Sequence, residues 1–302
     1  MRRTIRFPKS NGQKNKGRPV DQHANDSYWV EDAYPSQHLE VDGRIQVYRE
    51  AGEAGAPVIV LLHGIGSGSG SWAYLLDHFQ ARYRLIAWDA PGYNFSTPLP
   101  EDKPGAFGYA RALGEFLSVL EVDPAAVIGH SLGAMMAGAY AADVNPGLPV
   151  LILGDPANGY GESPQEVHDQ KLEYRLDMVR ELGPEGMADK RSANLLSENP
   201  PPEAVEMVKW NMRKTTTFGY EQASHTLADG HLKGRAGEFG GRVLVLCGGE
   251  DHVTPVDACR EVAVAYNKAP FYVLPGLGHA SYVEGPDLFN QAVETFLEAP
   301  HA

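Results

Sequence analysis

Cysteine is nearly missing. Cys247 and Cys259 are the two in 302 residues, too few for a disulfide framework and not in a Cys-x-x-Cys metal pattern. Cys247 lies within an apolar run and reads as a small core residue. Such sparse cysteine fits a reducing cytoplasm. No run of 18 apolar residues occurs, so no membrane span and no membrane partner is expected. Positive charge is scarce: 26 Lys and Arg stand against 39 Asp and Glu, a net charge of −13. Seven of those cations lie in residues 1–20, which hold no acid. Residues 21–302 are thus left with 19 basic and 39 acidic side chains, or −20. An acidic body argues against a nucleic-acid partner. The basic start lacks the apolar stretch of a secretory signal, and Ile5 and Phe7 alone make a poor amphipathic face. Residues 1–30 read as a solvated, disordered tail. No His/Cys/Asp/Glu cluster has metal-ligand spacing. Gly64-Ile65-Gly66-Ser67-Gly68 approaches a dinucleotide fingerprint, but it lacks the third Gly in register and a ribose-binding acid. Neither metal nor cofactor is expected.

What is present is an alternation of apolar runs and helical stretches. Asp42-Gly43 joins two strand-like segments as a hairpin. Pro57–Leu62, Tyr83–Trp88, the run up to Ile128, Pro149–Leu153, Arg242–Cys247 and Pro270–Leu274 are buried-strand patterns with helices between most of them. Strands alternating with helices imply a parallel sheet covered on both faces. The rhythm stops for about 80 residues. There Ser163-Pro164-Gln165-Glu166 reads as a capping box opening a helix that ends at Gly183-Pro184, with two further helices following. Residues 160–230 read as a helical lid inserted into a core of residues 31–159 and 231–302. Met178, Met187, Met207 and Met212 read mainly as packing of lid helix on lid helix, with a Met-rich face over an apolar substrate as the sharper alternative, and Trp210 as a substrate contact.

The centre of the pattern is Gly129-His130-Ser131-Leu132-Gly133, a strand breaking into a helix. A Ser in so tight a turn needs small neighbours two before and two after it. The turn lifts the hydroxyl to a helix N-terminus, where N–H groups favour negative charge. Ser131, Asp251 and His279 each follow a strand, in the order nucleophile, acid, base. Sites in parallel sheets lie at those carboxyl ends. Asp155 is a rival acid at another strand end, and Glu250 reads as an exposed turn residue. The N–H groups of Leu132 and Ile65 are expected to receive an oxyanion. His63 and Asp89 read as loop-ordering groups, and Gly64 and His130 as residues beside the substrate.

From Val58 to Leu297 the chain resembles an α/β-hydrolase-fold enzyme with a helical lid. His63-Gly64-Ile65-Gly66, Asp89-Ala90-Pro91-Gly92, the Ser131 elbow, Gly249-Glu250-Asp251 and Gly278-His279 carry the likeness. The layout is similar to the enol-lactonase and meta-cleavage-product hydrolase group. The resemblance implies a mostly parallel sheet with helices on both faces, and cofactor-free hydrolysis through an acyl-enzyme. Its substrates would be a small ester, a lactone or a diketone acid. Ser131 stands where dehalogenases and epoxide hydrolases use Asp. Carbon–carbon hydrolases usually carry Trp after the catalytic His and Gly-Asn-Ser at the elbow; Ala280 and His130 depart from both, which favours ester or lactone cleavage. Carbon–carbon hydrolysis, with a lid Arg (Arg175, Arg180, Arg191 or Arg213) holding a carboxylate, is the alternative, as is acyl transfer by the same trio. A homodimer is compatible with this layout.

Overall fold

The structure is a computed structural model that describes residues 28–299. The expected basic tail lies outside them as far as residue 27. Its boundary at residue 30 is corrected: Tyr28–Ala33 form a helix, α1, in which Val30 is fully buried.

Eight strands make one sheet in the order β1-β2-β4-β3-β5-β6-β7-β8. They are β1 (Gln37–Val41), β2 (Arg44–Ala51), β3 (Val58–Leu62), β4 (Arg84–Asp89), β5 (Ala126–His130), β6 (Val150–Gly154), β7 (Arg242–Gly248) and β8 (Phe271–Leu274). The β1–β2 and β2–β4 pairs are antiparallel, and the remaining pairs are parallel. At the hairpin tip, Asp42 and Gly43 both take positive φ (50° and 73°), as a two-residue turn matched to strand twist requires.

Strands β3, β5 and β6 are buried along their whole length because helices cover both faces. Their side chains alternate between two cores: Val60, Leu62 and Val127 face one, Ile59, Leu61 and Ile128 the other. On the first face lie α3 (Gly105–Val119), α4 (Leu132–Ala139) and α8 (Val256–Ala265). On the second lie α2 (Ala73–Phe79), α9 (Ser281–Glu284) and α10 (Pro286–Glu298). Three helices stand between β6 and β7: α5 (Gln165–Arg191), α6 (Pro202–Arg213) and α7 (Thr217–Asp229). Among the described residues, no helix is long and apolar enough to cross a membrane.

Two local expectations change. The capping box does not form, because α5 starts one residue late, with Pro164 as its cap and no side-chain cap bond. Gly183 (φ 61°, ψ 178°) does break the helix, but the chain resumes as a further helical stretch to Arg191. The Met-rich face is also corrected. Met178, Met187, Met207 and Met212 are buried, with Val179, Ala188, Ala204 and Val208, in the apolar core on the second face of the sheet.

α1 is tied to the far end of α6. Glu31 accepts from Arg49 Nη2 at 2.9 Å and Nη1 at 3.0 Å, and Lys214 Nζ adds a third contact. Burial pushes the Glu31 carboxyl up, but the two cations outweigh it and hold it at about 2. A carboxyl depressed by folding contributes stability above its ordinary value of 4.5 and loses it as pH falls toward 2. Glu31→Gln should therefore lower Tm at neutral pH, and the gap from wild type should close on acidification. A gap that does not change with pH in thermal melts would refute this.

Candidate active site

Ser131 sits between β5 and α4 with φ 52° and ψ −116°, a strained conformation for a residue with a Cβ. Backbone bonds hold it there: its N–H donates to Gly154 at 3.0 Å, and its carbonyl accepts from Ala134 and Ala157. A Cβ on Gly129 would lie 2.3 Å from the Gly133 oxygen, and one on Gly133 2.2 Å from that of Leu62. The spacing of the motif is thus a packing requirement.

His279 bridges the other two residues. Its Nδ1 lies 2.8 Å from Asp251 Oδ2, and its Nε2 3.0 Å from Ser131 Oγ. A carboxylate can only accept, so Nδ1 carries the hydrogen and Nε2 is free to take the Ser131 proton. Burial raises the Asp251 carboxyl, but His279 and Thr254 beside it bring it below the usual carboxylate range. Its Oδ1 accepts from Val253 N at 2.7 Å and Thr254 N at 2.9 Å; Oδ2 accepts from Thr254 Oγ1 at 2.7 Å. Thr254 was not singled out from sequence, although a Thr three residues after a loop Asp is the spacing of a local side-chain turn.

The rival acid does not reach the imidazole. Asp155 accepts from Gly248 N at 2.7 Å and meets Ser281 Oγ at 2.5 Å. Glu250 is exposed, as expected. His63 Nδ1–H donates to the Gly64 carbonyl at 2.8 Å, and its Nε2 accepts from Ala90 N at 3.1 Å. Asp89 accepts from the Ser69 N–H and hydroxyl and from Asn94. Both residues order loops and stand apart from the trio. His130 Nε2–H donates to the His279 carbonyl at 2.8 Å, and burial drives this ring down to about 3, so it is neutral at ordinary pH.

A cavity of about 290 Å³ opens over Ser131 and His279. Gly64, Ile65 and His130 line it. Leu132 opens α4, so its N–H has no partner within the helix. Trp210 does not line the cavity. Its ring is covered by the Lys214 ammonium at 3.5 Å and the Arg49 guanidinium at 5.7 Å, and packs against the turn at Gly70. Of the four Arg residues considered, Arg180 pairs with Glu221, and Arg213 with Glu185 and Asp189. Arg175 and Arg191 line the cavity, and among the described residues neither has an ion-pair partner.

Residues 57–286 match the model of the alpha/beta hydrolase fold family. A 2-hydroxy-6-oxo-6-phenylhexa-2,4-dienoate hydrolase of Comamonas testosteroni is 27% identical over 263 residues, 83% of this chain and 90% of the relative. A 3-oxoadipate enol-lactonase of Acinetobacter baylyi is 24% identical over 255 residues, 83% and 92% of the two chains. The solved enol-lactonase of Burkholderia xenovorans superposes with a TM-score of 0.77 at 23% identity, over 87% of this chain and all of the other. With the sheet order, the elbow and a family match across most of its length, this chain belongs to the alpha/beta hydrolase fold family.

Proposed function

We propose that this protein is a serine hydrolase that opens a small carboxylic ester or lactone through an acyl-enzyme. One observation carries the reading: a single imidazole lies within hydrogen-bond distance of both Asp251 and Ser131, at the floor of a cavity. Ser131 Oγ attacks the substrate carbonyl carbon as His279 Nε2 takes its proton. Asp251 stabilises the imidazolium and fixes its tautomer. The carbonyl oxygen, now negative, is received by the N–H groups of Leu132 and Ile65. Collapse expels the alkoxide, which leaves with the proton from His279; in a lactone it stays tethered to the acyl group. Water then attacks the acyl carbon, losing its proton to His279, and the acid departs as the Ser131 hydroxyl is restored.

Helices α5–α7 act as a lid, since Arg175, Arg191, Val208 and Leu227 of that segment close the cavity. The two guanidiniums give the substrate a carboxylate of its own. The same feature supports a second reading, hydrolysis of a carbon–carbon bond in a diketone acid; the Comamonas relative is named as a hydrolase of such an oxo-dienoate. Ala280 after the base favours the ester or lactone reading over it.

The test is a panel of chromogenic esters, carboxylated lactones and a ring-fission diketone acid, with fluorophosphonate labelling of Ser131 alongside. Labelling with turnover of esters or lactones is the expected result. Turnover of the diketone acid alone would shift the assignment to the second reading. Absence of labelling and of all turnover would end both.

A further inference from the structure

A second buried carboxyl lies beside Asp251 and has no part in the steps above. Asp155 is fully buried, and one of its oxygens, an Asp251 oxygen and the Cys247 sulfur lie within 4.8 Å of one another. Two carboxylates at that distance in a buried site cannot both ionise without a cation. The groups facing Asp155 supply none. They are Asp251, Cys247 and Cys259 from the β7–α8 region, Tyr282 from α9, and His130 from β5, whose Nε2 is 3.9 Å away. His130 is neutral and its one ring hydrogen is committed to the His279 carbonyl. Nor is this a metal cage, because every carboxylate oxygen of the pair already has a hydrogen-bond partner.

The contacts of Asp155 reach all three loops of the trio. Oδ1 accepts from Gly248 N, where the loop to Asp251 begins. Oδ2 meets the hydroxyl of Ser281, two residues past His279. The Asp155 carbonyl lies 3.1 Å from Thr254 Oγ1, the hydroxyl that donates to Asp251. Gly154, just before it, holds the N–H of Ser131. The residue itself takes φ 45°, a conformation that costs free energy and persists only where surrounding bonds impose it.

We propose that Asp155 is a positioning residue, a buried neutral acid that ties the loop bearing Asp251 to the loop bearing His279 beneath the nucleophile. Asp251, next to the imidazole, keeps the charge. Asp155 keeps a proton, and burial and the neighbouring Asp251 charge both push its carboxyl well above the usual range. The proposal rests on the serine-hydrolase reading.

Asn has the shape of a neutral Asp and can fill both contacts. Asp155→Asn should keep kcat/KM on a chromogenic ester within about threefold, with the acidic limb of its pH profile unmoved. Asp155→Ala should slow both turnover and fluorophosphonate labelling on the order of 10²-fold, the scale of a misplaced catalytic group. Ser281→Ala cuts the same tie with Asp155 in place and should cost about tenfold, so the proposal stays testable if Asp155→Ala does not fold. An acidic limb displaced about one unit downward in Asp155→Asn would show a charged Asp155 and overturn the proposal. So would wild-type labelling rates in Ser281→Ala or in a folded Asp155→Ala. Failure of wild type itself to label would instead refute the serine-hydrolase reading.

Discussion

Ser131→Ala should lower kcat by roughly 10³–10⁶-fold, with KM and Tm little changed. In the proposed mechanism this hydroxyl makes the bond to carbon, and among the described residues no other hydroxyl is hydrogen-bonded to the His279 Nε2, which lies 3.0 Å from it. The fold does not depend on it. Its one side-chain bond is to His279, and the strained backbone at φ 52° is held by main-chain bonds that Ala retains. What remains should be the contribution of the Leu132 and Ile65 N–H groups and of substrate binding alone. Combining the change with His279→Ala should therefore cost little more than either alone, because nucleophile and base act as one unit. Steady-state kinetics on the best ester of the panel decide it. Ester turnover within tenfold of wild type in Ser131→Ala would refute the acyl-enzyme mechanism.

The parts of this molecule that were legible in its sequence are short-range ones. An apolar run such as Val58–Leu62 can only be buried on both faces, and the sheet buries it so. The elbow was legible because its glycines answer to contacts within a few residues and the neighbouring strand. The order of Ser131, Asp251 and His279 followed from each standing just past a strand. Asp251 was preferred to Asp155 from sequence, but both follow strands, and the loop geometry is what separates a partner of the imidazole from a bridge beneath it. The inserted helices were legible as helices, but not in what they face. An apolar stripe shows that a surface is buried, not against what. Trp210 is instead covered by Lys214, and the four Met residues are buried in the core on the second face of the sheet. α1 has six residues, too few for a period to show, and its burial depends on an ion pair with Arg49 that no local pattern displays.

Replacing Arg175 and Arg191 together by Gln should reduce kcat/KM for carboxylate-bearing substrates on the order of 10³-fold. Each guanidinium forms a charge-assisted contact of about 1.5–3 kcal/mol, so two lost contacts bring the loss to that scale. The chain is acidic, and its surface arginines find carboxylates readily: Arg180 reaches Glu221 at 2.7 Å, and Arg213 reaches Glu185 at 3.0 Å. The two that face the cavity are held by neutral groups instead. Arg175 donates to the Lys171 carbonyl at 2.8 Å and to Tyr160 Oη at 3.3 Å, and stacks on the Tyr160 ring at 5.2 Å. Arg191 donates to the Tyr220 hydroxyl. Tyrosines fix the direction of a guanidinium while leaving its charge uncancelled, which suits an anion arriving in the cavity. Gln retains a hydrogen-bonding head and removes the charge, so the test is one of charge. The methyl ester of the same substrate, with its anchor neutralised, should change by less than about threefold, and the preference for the acid over its ester should vanish. Raised salt should mimic part of the loss in wild type, because a half-exposed guanidinium is screened. Equal losses on the acid and its methyl ester would mean that the two residues only support the lid. No loss on either would remove the carboxylate from the substrate and leave a neutral ester as the class to search.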